Sequence, residues 1–222
     1  MSEVVKLQAS DGHKLDAYVA APDGKPWGGL VVVQEIFGVN QHMRSVADRF
    51  AHEGFYAVAP ALFDRVERDV ELGDDAESMH RGVALAQKIS IDDAIKDVDA
   101  ALQYIARTIG KPAGVVGYCY GGTLAWLSAT RLSPAAVVGY YGGQISRFAH
   151  EKPRAPVLLH FGKDDQHIPQ ADVDKVQAAH PEVEIHRYAA GHAFHNDTRA
   201  SYRVDASKEA MARTLTFLNR HL

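Results

Sequence analysis

The sequence predicts an α/β fold with a mainly parallel sheet and helices on both faces. Three observations carry this expectation. Short apolar runs recur along the chain and alternate with segments of helical spacing. The runs are continuous rather than alternating, as strands buried on both faces require. Three chemistry-bearing residues, Cys119, Asp165 and His192, each follow such a run, at the strand end where open α/β sheets carry their sites.

The elements follow in order. Val4–Ala9 and His13–Ala20 read as two strands joined at Ser10-Asp11-Gly12, an opening hairpin. Gly29–Gln34 is a buried strand. Gln41–Glu53 places Met43, Val46, Ala47 and Phe50 at helical spacing and stops at Gly54. Phe55–Ala59 is a strand closed by Pro60, and Ala61–Asp74 is polar and irregular. Ala76–Lys88 and Ile91–Thr108 read as helices, the second with Ala94, Val98, Ala101, Leu102 and Ile105 on one side. After Lys111-Pro112 come a strand at Ala113–Val116, a helix over Thr123–Ala129 and a strand at Ala135–Tyr140. Val157–Phe161 and Val183–Tyr188 are further strands, separated by a helix at Ala171–Ala179. Ala206–Leu222 closes the chain as an amphipathic helix with Ala210, Leu215 and Leu218 inward.

Size and charge narrow the function classes. The chain has 222 residues and a formal net charge of −4, from 24 Lys and Arg against 28 Asp and Glu. One domain over residues 1–222 is expected. No basic block is present, which argues against a nucleic-acid partner. The longest apolar runs are far too short to span a membrane. Met1–Ser10 is charged and lacks the apolar centre of a signal peptide. A single cysteine allows no internal disulfide and suits a reducing cytoplasm, and a lone Cys with His and Asp elsewhere is a candidate nucleophile. A monomer is expected, since no apolar excess stands out.

The stretch Gly117-Tyr118-Cys119-Tyr120-Gly121-Gly122 lies between a strand and a helix. It has the G-x-S-x-G pattern of a nucleophile elbow, with Cys in place of Ser. The other reading of this stretch is a buried cysteine acting as a small hydrophobe in a glycine-rich turn. The order nucleophile, acid, histidine matches that of the α/β-hydrolase fold. In this reading Cys119 attacks an acyl carbon, His192 shuttles the proton and Asp165 orients the imidazole, with Asp164 as the neighbouring alternative. The backbone N–H groups of Tyr120 and Ile36 would receive the oxyanion. Glu35 is either exposed or paired, or turned into the site as an acceptor for the Cys119 thiol. Phe37, Phe63, Tyr118, Tyr141 and Phe194 are candidates to line an apolar pocket. The twelve histidines prompt a metal reading, with His192 and His195 three apart and His160 and His167 on a neighbouring loop. Neither H-E-x-x-H nor a Cys pair occurs, so no metal is expected. His42, His52, His80 and His180 are expected on solvated helix faces.

Four motifs together resemble the dienelactone hydrolase family. They are Gln34-Glu35-Ile36-Phe37-Gly38-Val39-Asn40, the elbow, Gly162-x-x-Asp165-x-x-Ile168-Pro169, and Gly191-His192-Ala193-Phe194. The resemblance implies an α/β-hydrolase fold without a large lid, no metal or organic cofactor, and a triad of Cys119, His192 and Asp165. It puts the family's thiol-pairing glutamate at Glu35 and the second oxyanion donor at Ile36. The family activity it implies is opening of carboxymethylenebutenolide to maleylacetate in the degradation of chlorinated aromatics. One departure stands out. The family binds the substrate carboxylate with two arginines, one of them four residues after the triad histidine. Asn196 occupies that place, with Arg199 nearby, and the other arginine falls near Arg81. Substrate-binding residues are therefore expected at Phe37, Arg81, Tyr141 and Phe194. The leading expectation is cysteine-dependent hydrolysis of a small lactone or ester. The alternatives are a broad carboxylesterase for neutral esters, a non-hydrolytic thiol or redox protein using Cys119, and an interaction protein with a relict elbow.

Overall fold

A computed structural model describes all 222 residues. Eight strands form one sheet: β1 (Ser2–Gln8), β2 (Lys14–Ala20), β3 (Gly29–Val33), β4 (Tyr56–Pro60), β5 (Ala113–Tyr118), β6 (Val137–Tyr140), β7 (Val157–Gly162) and β8 (Glu184–Tyr188). Their spatial order is β1-β2-β4-β3-β5-β6-β7-β8. The opening hairpin pairs Ser2 with Ala20 through to Gln8 with Lys14. β2 then joins β4 antiparallel, and every later pairing is parallel. Every residue of β3, β4, β6 and β7 is buried. Both faces of the central sheet are therefore covered, which explains the continuous apolar runs.

The helices are α1 (Gln41–His52), α2 (Ala76–Gln87), α3 (Ile91–Ile109), α4 (Tyr120–Arg131), α5 (Gln170–Ala179) and α6 (Val204–His221). Their starts have local causes. The side chains of Asn40, Asp75 and Ser90 accept the N–H groups of Met43, Ser78 and Asp93, so α1, α2 and α3 each begin on a capping residue. Gly110 ends α3 in the left-handed conformation. No helix is long and apolar enough to cross a membrane.

The structure corrects several expectations. α4 begins at Tyr120 rather than Thr123, so Gly121 and Gly122 of the elbow are helical. The irregular stretch after β4 contains a 3-10 turn, Leu62–Arg65, whose Leu62 and Phe63 enter the core. In α6, Phe217 and Thr214 are buried while Leu215 is only half-buried. His160 lies within β7, not on a loop, and bonds to Tyr188 and Thr214. His42 and His180 are buried rather than solvated: His42 pairs with Asp197, and His180 meets the Ala149 carbonyl and the edge of Trp126.

Candidate active site

The C-terminal ends of the parallel strands converge on one cleft. Cys119 follows β5 directly, Glu35 and Ile36 follow β3, Asp165 follows β7 and His192 follows β8. Cys119 itself adopts φ 54° and ψ −112°, a strained conformation for a side-chain-bearing residue. The glycines around it are there for space. A Cβ on Gly117 would lie 1.9 Å from the Gly121 carbonyl oxygen. One on Gly121 would lie 2.4 Å from the Val33 oxygen and 2.6 Å from that of Gln34. The turn is thus pressed against the end of β3, which brings the sulfur to the loop carrying Glu35 and Ile36.

Cys119 Sγ lies 3.3 Å from His192 Nε2, and His192 Nδ1 lies 2.8 Å from Asp165 Oδ2. The other oxygen of Asp165 accepts the N–H groups of His167 and Ile168, which fixes the carboxylate. Asp165 is buried, whereas Asp164 is exposed at the rim of the cleft, so geometry selects between the two. Burial works against charge on His192. Its hydrogen bonds to Asp165 and Cys119 outweigh that and push it up to about 10, so the imidazole holds its proton at neutral pH. Burial tends to raise Asp165, but the His192 bond prevails and holds it below the usual carboxylate range. The backbone N–H groups of Tyr120 and Ile36 have no acceptor in the protein. The first is an unpaired N–H of the first turn of α4.

Glu35 is 2 % exposed and lies in the wall of the cleft. Its Oε2 accepts from Asn196 Nδ2 at 2.8 Å, while Oε1 has no hydrogen-bond partner. The hydrogen bond of Cys119 runs to His192, not to Glu35. Asn196 is itself fixed, since its Oδ1 accepts the N–H and the hydroxyl of Thr198. Sequence reasoning did not foresee this partnership. The only signal for it was Asn196 standing where a cation was expected.

The cleft has a volume of about 660 Å³. Of the expected substrate contacts, Phe37 lines it, with Arg199 stacked over its ring at 5.3 Å. Arg199 is the only Arg or Lys in the lining. Arg81, Tyr141 and Phe194 lie outside it. Arg81 is exposed and pairs with Glu67 on the surface, because its position on α2 faces solvent. Tyr141 and Phe194 are fully buried behind the site, where the Tyr141 ring packs 5.1 Å from that of His192 and 5.5 Å from Phe194. Phe63 and Tyr118 are core residues as well. His195 stacks on Tyr118 and bonds to Ser207, and burial pulls it down to about 3, so it remains neutral. His167 meets the His192 ring edge-on at 5.1 Å.

Known proteins share this architecture. The dienelactone hydrolase family profile matches residues 15–222. A carboxymethylenebutenolidase of Pseudomonas putida is 32% identical over 228 residues, covering 98% of this chain and 96% of its own. An Azospirillum brasilense relative, named "Putative carboxymethylenebutenolidase", is 37% identical and covers 98% of both chains. A crystal structure from Klebsiella pneumoniae, named "Putative Dienelactone Hydrolase", superposes with a TM-score of 0.86 at 30% identity, covering 99% of each chain. This chain has the α/β-hydrolase fold and belongs to the dienelactone hydrolase family of hydrolases.

Proposed function

We propose that this protein opens a small lactone or ester through a Cys119-His192-Asp165 triad and a thioester acyl-enzyme. The observation that carries the reading is the unbroken chain of contacts from Asp165 through His192 to Cys119, at 2.8 Å and 3.3 Å, at the mouth of a cleft. The sulfur attacks the carbonyl carbon, and the resulting oxyanion takes the two free N–H groups of Tyr120 and Ile36. The C–O bond then breaks, and His192 gives its Nε2 proton to the leaving oxygen. Water next attacks the thioester, its proton passes to His192, and the acid product leaves with Cys119 regenerated. Asp165 keeps the imidazole oriented throughout. Glu35 offers Oε1 as an acceptor in the same cleft.

The name of the Pseudomonas putida relative makes carboxymethylenebutenolide the first substrate to try, with maleylacetate as the product the family resemblance implies. Asn196 is spent on Glu35, so Arg199 is the group available to an anionic substrate. The test sets wild type beside Cys119→Ala on a carboxylated dienelactone and on neutral activated esters. Hydrolysis that requires Cys119 is expected. Equal rates from both proteins would overturn the assignment. We place the protein in the cytoplasm as a monomer, a reading that size-exclusion chromatography and cell fractionation test.

A further inference from the structure

One wall of the catalytic cleft has no task in the triad chemistry. Met79, Val83 and Ala86, spaced four and three residues apart on α2, form one stripe of that helix and line the cleft. The neighbouring flank of α2 buries Gly82 and Leu85 in the protein. Val83 is 39% exposed, an apolar side chain left open toward the site. Ile89, Ile91 and Leu124 extend the same surface toward α3 and α4.

The wall is fixed to the catalytic machinery. A Cβ on Gly82 would lie 2.0 Å from the Ile36 carbonyl oxygen. Only glycine lets α2 rest directly on the backbone of the loop whose N–H faces the oxyanion position. The apolar stripe and the reacting carbonyl therefore keep a set separation. At about 660 Å³ the cleft is in the size range of pockets that enclose drug-sized ligands, and a compact lactone would leave much of the wall bare. Apolar side chains lining a concave cleft are the usual wall of a ligand site, covered by the bound molecule. Here that surface is continuous with Cys119, so the cover is the substrate itself.

We infer that the preferred substrate is an ester or lactone bearing an extended apolar group, a chain of several carbons or an aromatic ring, seated on Met79, Val83 and Ala86. This rests on the Cys119 hydrolase reading above. Two substrate series test it: 4-nitrophenyl esters of lengthening acyl chain, and acetates of lengthening alcohol. A fully buried methylene is worth about fourfold in kcat/KM, and a half-open wall about twofold. One of the two series should therefore rise on the order of tenfold over four added methylenes. Val83→Asp should cut that long-to-short ratio by about fivefold or more, because a carboxylate must be desolvated to receive the chain. Ala84→Asp places the same charge on the solvent face of α2 and should keep the wild-type ratio. A flat response in both series, with acetate turnover still dependent on Cys119, would overturn the inference and leave the triad standing. So would a fall in the ratio with Ala84→Asp as large as with Val83→Asp. Acetate hydrolysis unaffected by Cys119→Ala would instead overturn the triad reading on which the inference rests.

Discussion

Asn196 supplies the only hydrogen bond to a buried carboxyl group, and removing it has a calculable cost. Asn196→Leu keeps the branched shape and deletes the 2.8 Å donor to Glu35 Oε2. Oε1 already lacks a partner, so both oxygens of a residue 2 % exposed would then be unsatisfied. The lost hydrogen bond is worth about 1 kcal/mol, and the uncompensated desolvation roughly 1–3 kcal/mol more. Thr198 loses its acceptor too, but it is exposed and can turn to water. The expected loss is therefore about 2–4 kcal/mol, or a fall of on the order of 10 °C in Tm for a chain of this size. Urea unfolding followed by tryptophan fluorescence measures it. The double variant Glu35→Met/Asn196→Leu removes both partners and should lie within about 1 kcal/mol of wild type, since an apolar pair leaves nothing unpaired. A loss below about 1 kcal/mol for Asn196→Leu, or a double variant as weak as the sum of the singles, would refute the partnership.

Two further predictions concern the elbow and the triad. Gly121→Ala drives a methyl group into the Val33 and Gln34 carbonyl oxygens at 2.4 and 2.6 Å. It should cost about 2 kcal/mol or more and lower kcat/KM on the order of a hundredfold by shifting the Glu35–Ile36 loop; a variant with wild-type Tm and rate would contradict the close contact. His192 is raised from 6.5 to about 10 in the folded protein, so the folded state binds the extra proton. Its contribution to stability is complete below about pH 6.5 and disappears as pH rises through about 10. The stability difference between wild type and His192→Gln should shrink over that range in urea melts, and a difference that stays constant would count against the charged imidazole.

Much of the fold could be read from the sequence because its strands are buried on both faces. Runs such as Gly29–Val33 and Tyr56–Ala59 leave no charged position to confuse the pattern. The meeting of Cys119, His192 and Asp165 could be anticipated for the same reason, each sitting just past a strand. The antiparallel pairing of β2 with β4 was not legible, since it is a long-range choice with no local signature. The start of α4 was hidden because Gly121 and Gly122 read as a turn, while tertiary contact with the Val33, Gln34 and Tyr140 carbonyls demands glycine inside a helix. The histidines misled for a related reason. Imidazole is polar enough to suggest solvent, yet His42 and His180 are buried and each finds a hydrogen-bond partner, Asp197 and the Ala149 carbonyl. Arg81 failed as a substrate contact because charge gives no helix phase. The cleft wall on α2 could have been found from the stripe Met79, Val83, Ala86, read beside a second stripe of Gly82 and Leu85.

The central claim is that Cys119 becomes acylated, and intact-protein mass spectrometry after rapid acid quench tests it most directly. With an activated 4-nitrophenyl ester in excess, the account predicts a transient mass increase of one acyl group, hydroxylamine-labile and mapping to the peptide that contains Cys119. Turnover with no adduct on Cys119, or an adduct on another residue that persists in Cys119→Ala, would contradict it.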